Sequence, residues 1–218
     1  MKVIITGTTG MIGEGILMEC LEHAMIREVL SVSRKPTGKS HPKLTEYLVS
    51  DFLDLQENDP QLLGYDACFF CAGISAVGQS EANYTKITYH TTLHFAKILH
   101  SKASMAFIYV SGGGTDTREK SRMMWARVKG KTENDLAELP FKGTFGFRIG
   151  FVKAAPGQKH ILSYYKYISW LFPVIRMLFP FMYSTMKEVA EAMIYVTQKG
   201  YSSRVIYVKD IHNINKSR

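Results

Sequence analysis

The sequence predicts an α/β chain on a parallel, doubly wound sheet, and three observations carry that expectation. Short runs rich in β-branched and aromatic residues recur along the 218 residues, each followed by a segment of helical spacing. Strands that alternate with helices close as right-handed crossovers and bury the sheet on both faces. The run Asp66-Ala67-Cys68-Phe69-Phe70-Cys71-Ala72-Gly73 matches such a strand, because it is apolar without alternation.

The elements follow in order. Val3-Ile4-Ile5-Thr6 is the first strand, residues 11–23 a helix and residues 28–33 (EVLSVS) the second strand. A polar loop with glycine and proline covers residues 35–43, and residues 44–49 form the third strand. Residues 62–65 close a short helix before the fourth strand at 66–73, and residues 81–101 form a long helix. The fifth strand is 106–110. A helix over 125–139 is stopped by Pro140, which has no N–H for the helix ladder. Residues 143–149 form the sixth strand, 187–197 a helix and 204–208 a last strand. With no internal repeat or low-complexity tract, one domain over residues 1–218 accounts for the chain.

Composition narrows the class. At 46% hydrophobic and 21% charged, the chain has an ordinary globular balance. The net charge of +8 raises nucleic acid as a partner, but no recognition module accompanies it, so none is expected. Three cysteines do not make a disulfide framework, and the first strand opens at Lys2 without a leader pattern, so the expected location is cytoplasmic. Cys68 and Cys71 have C-x-x-C spacing, yet residues three apart in a strand face opposite ways. His90 and His94 lack the glutamate of a zinc-helix pattern, since Thr91 stands there; no metal is expected. Residues 161–183 are aromatic and aliphatic, but Lys166, Pro173, Arg176 and Pro180 break them into runs below the roughly 20 residues of a membrane span. A cover over a cleft for an apolar small molecule is the favoured reading, and an interfacial element the other.

The richest motif is Thr6-Gly7-Thr8-Thr9-Gly10-Met11-Ile12-Gly13, at the mouth of the first strand. Gly7 permits a tight turn, Gly10 permits close approach of a pyrophosphate, and Gly13 permits the helix to pack near the sheet. The helix N-terminus then presents N–H groups and a favourable dipole to the anion. Gly7, Thr9, Gly10, Met11, Ile12 and Gly13 are the candidate contacts. About twenty residues on, where an NAD site carries an acid, Ser33 is followed by Arg34 and Lys35, with Lys39 nearby. A guanidinium suits a ribose 2′-phosphate, so NADP is favoured over NAD; a solvated basic loop is the alternative.

These glycines, together with Arg34, Asp51-Phe52, Cys71-Ala72-Gly73 and Phe147-Arg148-Ile149-Gly150, resemble the extended and atypical short-chain dehydrogenases/reductases. Within that superfamily the chain is similar to the NAD-dependent epimerase/dehydratase-like proteins related to the Tat-interacting oxidoreductase. The resemblance covers nearly the whole chain and implies a Rossmann-type fold with a substrate lobe at 151–183. It also implies that Asp51 and Phe52 flank the adenine, while Cys71, Ala72 and Gly73 line the ribose and pyrophosphate. In the family a tyrosine and a lysine four residues later move the proton, the lysine also holding the nicotinamide ribose. Here Lys129 matches, but Trp125 occupies the tyrosine position. An indole N–H donates without ionising and cannot exchange a proton with substrate. The family's hydroxyl after the fifth strand falls on Ser111 or Thr115, or is absent, the run of glycines at 112–114 then serving backbone approach. The implied activity is an NADP-dependent oxidoreductase or epimerase-like enzyme with an altered acid/base site. A non-catalytic dinucleotide-sensing regulator is the alternative. Substrate and oligomeric state are not legible at this level.

Overall fold

A computed structural model of the chain describes residues 1–99, 102–161 and 177–217. Seven strands form one sheet, all pairs parallel: β1 (Lys2–Thr6), β2 (Glu28–Ser33), β3 (Leu44–Leu48), β4 (Ala67–Phe70), β5 (Ala106–Val110), β6 (Gly143–Arg148) and, after the small ladder below, β9 (Val205–Tyr207). The spatial order β3-β2-β1-β4-β5-β6-β9 reverses direction between β1 and β4, the switch point where doubly wound sheets bind ligands. Two further strands, β7 (Phe151–Lys153) and β8 (Tyr183–Thr185), pair in a parallel ladder of their own.

Residue alternation along the strands sends apolar side chains to two cores. Val3 and Ile5 face the layer of α1 (Met11–Glu22), α5 (Met186–Lys199) and α6 (Val208–Lys216), where they join Leu17, Val189, Met193 and Ile211. Ile4 faces the opposite layer, with Phe70, Phe95, Phe107 and Leu136, formed by α3 (Thr91–Ile98) and α4 (Met124–Ala137). Cys68 belongs to the second core and Cys71 packs against the first, and all three cysteines are free. The C-x-x-C spacing is therefore a product of strand alternation.

Several elements differ from expectation, and β4 stops at Phe70, short of residue 73. The helix expected over 81–101 is α2 (Glu81–Thr85), a π-helical segment at Lys86–His90, then α3; Leu99 is already extended. The short helix expected at 62–65 is a 3₁₀ turn at Pro60–Leu62, begun by the Asp59 carboxylate accepting from the Gln61 N–H. The ladder of β7 and β8 is new. So is α6, whose Val208, Ile211 and Ile214 recur every three residues and bury one stripe. Its short, polar sequence hid that stripe, although Asp210 accepting from the Tyr207 N–H marks the start. A capping box also opens α5, where Thr185 Oγ1 accepts from the Glu188 N–H and the Glu188 carboxylate accepts from the Thr185 N–H.

The expected apolar stretch at 161–183 lies outside the described residues over 162–176; beyond it Met177, Leu178, Phe179, Phe181 and Met182 are exposed. Among the described residues no helix is long and apolar enough to cross a membrane.

Candidate functional site

The turn between β1 and α1 has the geometry the glycines imply. Gly7 takes φ +68°, and a Cβ there would lie 2.7 Å from the Ala72 backbone. A Cβ on Gly13 would lie 2.1 Å from the Gly7 carbonyl oxygen. Both positions therefore exclude any larger residue. The Gly10 N–H donates to Gly7 O, and Gly10 begins α1 without a side-chain cap. The first-turn N–H groups, those of Met11, Ile12 and Gly13, thus have no intrahelical acceptor, while Thr9 lies at the turn's rim. Thr6 Oγ1 accepts from the N–H groups of Cys71 and Ala72, tying the ends of β1 and β4 together. The Cys71 thiol points away into the core, and burial pushes its pKa to about 12.

Beside the cradle a cavity of about 270 Å³ is bounded by Arg34, Asp51, Ala72, Gly73, Asn83 and Lys86. Asp51 caps the 3₁₀ turn Phe52–Asp54 through the Leu53 N–H. Phe52 also lines the cavity, and its ring is buried against Phe70 and Phe95. Arg34 and Lys35 are exposed. Lys39 is not: its ammonium lies 3.0 Å from the buried Glu14 carboxylate. Burial alone would raise the Glu14 pKa, but the His160 N–H, Lys39, the Lys159 N–H and the His160 ring hold it lowered. Gln158 Nε2 meanwhile donates to Met11 O. Residues 155–160 are thereby strapped across the start of α1.

At the far end of β5 lies a second polar group. Lys129, on α4, is half-buried with its ammonium 5.9 Å from the Tyr109 ring centroid. Burial pushes that ammonium down to about 8, against the pull of Glu133 one turn on. Glu133 is itself committed, its carboxylate 2.6 Å from Arg148 Nη2 and 2.5 Å from Ser111 Oγ. The Ser111 hydroxyl is buried in that contact, and Thr115 Oγ1 accepts from the Gly112 N–H inside its own turn. Burial raises the phenols of Tyr109 and Tyr84 above their ordinary range, so neither is poised to lose a proton. The Trp125 indole lies on Gly114, where a Cβ would come within 2.7 Å of the ring. Gly114 therefore makes room for the indole, while a Cβ on Gly112 would only touch it and one on Gly113 would face the Ile149 carbonyl.

Among the described residues no three His, Cys, Asp or Glu side chains cluster for an ion. His94 is bonded to Leu55 O and His90 packs on the edge of Tyr89.

The sequence matches the model of the NAD dependent epimerase/dehydratase family over residues 3–117, more than half of the chain and spanning cradle, cavity and the turn at Thr115. The chain belongs to that family. Among solved structures, this family member resembles the UDP-glucuronic acid 4-epimerase of Bacillus cereus in complex with NAD, at a TM-score of 0.66 and 14% identity over 100% of this chain and 82% of that one. It likewise resembles the UDP-N-acetylglucosamine 4-epimerase of Methanobrevibacter ruminantium, at 0.66 and 19% over 94% and 75%. At such identities the likeness shows a shared Rossmann-type fold.

Curated relatives include the fmp52 protein, mitochondrial, of Aspergillus fumigatus, 26% identical over 69% of this chain and 66% of its own length. FMP52, mitochondrial, of Debaryomyces hansenii is 28% identical over the same shares. The chain thus spans a little under two thirds of these relatives. Their mitochondrial names overturn the cytoplasmic expectation. That expectation rested on the lack of a secretory leader pattern and on cysteines too few for a disulfide framework, and neither observation chooses among the compartments that keep thiols reduced.

Reading the sequence for this family missed Glu133 and Glu14. Glu133 stands four residues after Lys129, a spacing that puts both on one helix face. Glu14 is an acid in the first turn of the cradle helix, a place where a carboxylate needs compensation beside an expected pyrophosphate.

Proposed function

We propose that this member of the NAD dependent epimerase/dehydratase family binds NADP(H) and transfers hydride with Lys129, rather than a phenol, in contact with the reacting oxygen. One observation carries the reading. A half-buried ammonium near pKa 8 stands beside Trp125, while its nearest helical carboxylate, Glu133, is engaged by Arg148 and Ser111. Such a donor is left to find ligand hydroxyls, and a pKa near neutrality suits an acid that must also be reprotonated. When bound, the cofactor supplies the hydride. Of the chain's own groups, the α1 N–H groups hold the pyrophosphate, Arg34 and Lys35 take the 2′-phosphate, and Lys129 holds the ribose and gives its proton to the substrate oxygen. Ser111 and Thr115 shape this wall through Glu133 and the Gly112 turn. Asp51, Ala72 and Gly73 bound the adenosine cavity, and residues 151–183 form the substrate lobe within a single domain.

Calorimetric titration of both dinucleotides tests the cofactor: NADP should bind tighter than NAD, and Arg34→Ala should narrow the difference. Equal affinities in the wild type would refute the assignment. The chemistry is read from NADPH oxidation against aldehydes and ketones, where Lys129→Met should abolish turnover.

A second reading, a dinucleotide sensor without catalysis, is favoured by the raised phenols and the indole at the tyrosine position. Under it the wild type binds cofactor but turns nothing over, while Trp125→Tyr gains slow reduction. Brisk wild-type turnover excludes it.

A further inference from the structure

Gly114, on which the Trp125 indole lies, also bounds a hollow of about 390 Å³ that the reaction above does not use. Gly114, Thr115, Arg118, Lys120, Arg148 and Tyr207 bound it. It opens where β5, β6 and β9 end, so it shares the sheet edge with the cradle.

Its floor is a prepared cation. Arg148 is 7% exposed, clamped by Glu133 through Nε and Nη2 and donating from Nη1 to the Tyr207 hydroxyl 2.9 Å away. Tyr207 also lies beneath the guanidinium, 5.5 Å from ring centroid to carbon. A guanidinium has five N–H donors, and these contacts leave donors on both terminal nitrogens. Two further cations, Arg118 and Lys120, stand at the rim. The acid in the wall, Asp116, is already occupied: its carboxylate accepts from the N–H and Nε of Arg118 and from the Lys120 N–H. The Lys120 ammonium is in none of the described ion pairs. A fixed guanidinium, a hydroxyl and two rim cations around one hollow match a multi-oxygen anion, which accepts several charge-assisted bonds at once.

We propose that this hollow is an oxyanion subsite that takes a carboxylate or phosphate carried by the substrate. The inference rests on the reading of Lys129 as the reacting end: the anion docks between Arg148 and Lys120, and the rest of the substrate crosses the indole toward Lys129. The subsite confers a requirement for an acidic substrate, and Trp125 becomes its dividing wall.

Inorganic phosphate and succinate, titrated separately by calorimetry into protein saturated with NADPH, test this, with the double variant Arg118→Ala/Lys120→Ala as comparison. NADPH keeps the probes off the cradle. At least one probe should bind the wild type, more weakly as salt rises, and the variant should lose about tenfold or more in affinity with its NADPH affinity unchanged. Tighter phosphate marks a phosphorylated substrate and tighter succinate a carboxylate. If neither probe binds, or if the variant binds as well as the wild type, the subsite is refuted. If NADPH fails to bind but the probes still distinguish wild type from variant, the cofactor reading falls and the subsite stands.

Discussion

Replacing Lys129 with methionine should make the protein more stable while removing its function. Burial lowers the Lys129 pKa from 10.5 to about 8, so the folded state binds that proton more weakly than the unfolded chain does. Each pKa unit corresponds to about 1.4 kcal/mol, an upper figure of about 3 kcal/mol. The side chain is only half-buried, and solvent screening brings the expected cost down to about 1–2 kcal/mol. The sign follows from linkage. Below pH 8 the amine is charged in both states, and the folded state bears the full cost. Between pH 8 and 10.5 the unfolded chain holds more protons, so the stability of the wild type rises with pH and the cost disappears. Methionine keeps the aliphatic stem without the charge. Urea unfolding of wild type and Lys129→Met should therefore show the variant ahead by about 1–2 kcal/mol at pH 7, with the gap mostly closed near pH 10.5. Cofactor affinity should meanwhile fall by about tenfold or more, as expected for losing a charged hydrogen bond. A variant less stable than wild type at pH 7, or a gap that does not change with pH, would refute the account of a desolvated ammonium held for a ligand.

Three other outcomes follow from named contacts. Gly13→Ala places a methyl group 2.1 Å from the Gly7 carbonyl oxygen, so α1 must move off the turn; dinucleotide binding by calorimetry should be lost even where circular dichroism shows a folded protein. Glu133→Ala leaves Arg148 buried and unpaired, and equilibrium unfolding should show a loss of about 3–5 kcal/mol, with the double variant Glu133→Leu/Arg148→Met recovering a large part of it. Gly114→Val drives side-chain atoms into the Trp125 ring, and the indole emission should shift relative to wild type as the ring leaves the loop. An unchanged spectrum would contradict that packing.

Much of the fold was legible because it is written in local periodicity. β2 and β5 coincide with their expected spans and β1 begins one residue earlier, since strands buried on both faces draw on runs rich in β-branched and apolar residues. The cradle was legible in part: Gly13 is dictated by the Gly7 carbonyl close by in sequence and Gly7 by its positive φ, whereas the Ala72 backbone that closes on Gly7 arrives from the end of β4. Arg34 and Asp51 could likewise be placed at one cavity from their positions after β2 and β3.

What only the tertiary structure decided is which groups remain free. Lys39 looked like a companion of Arg34, but folding pairs it with the buried Glu14 carboxylate, which also accepts from the Lys159 N–H, 145 residues away from Glu14 in sequence. Ser111 looked like a substrate-facing hydroxyl, but it is taken up by Glu133. The pairing of Glu133 with Arg148 joins α4 to β6, and the hollow beside it needs β9 as well. Sequence determines the kinds of side chain and their order along each face. The availability of a charge depends on burial and on partners brought from distant segments, because the cost of desolvation and the strength of an ion pair are properties of the packed interior.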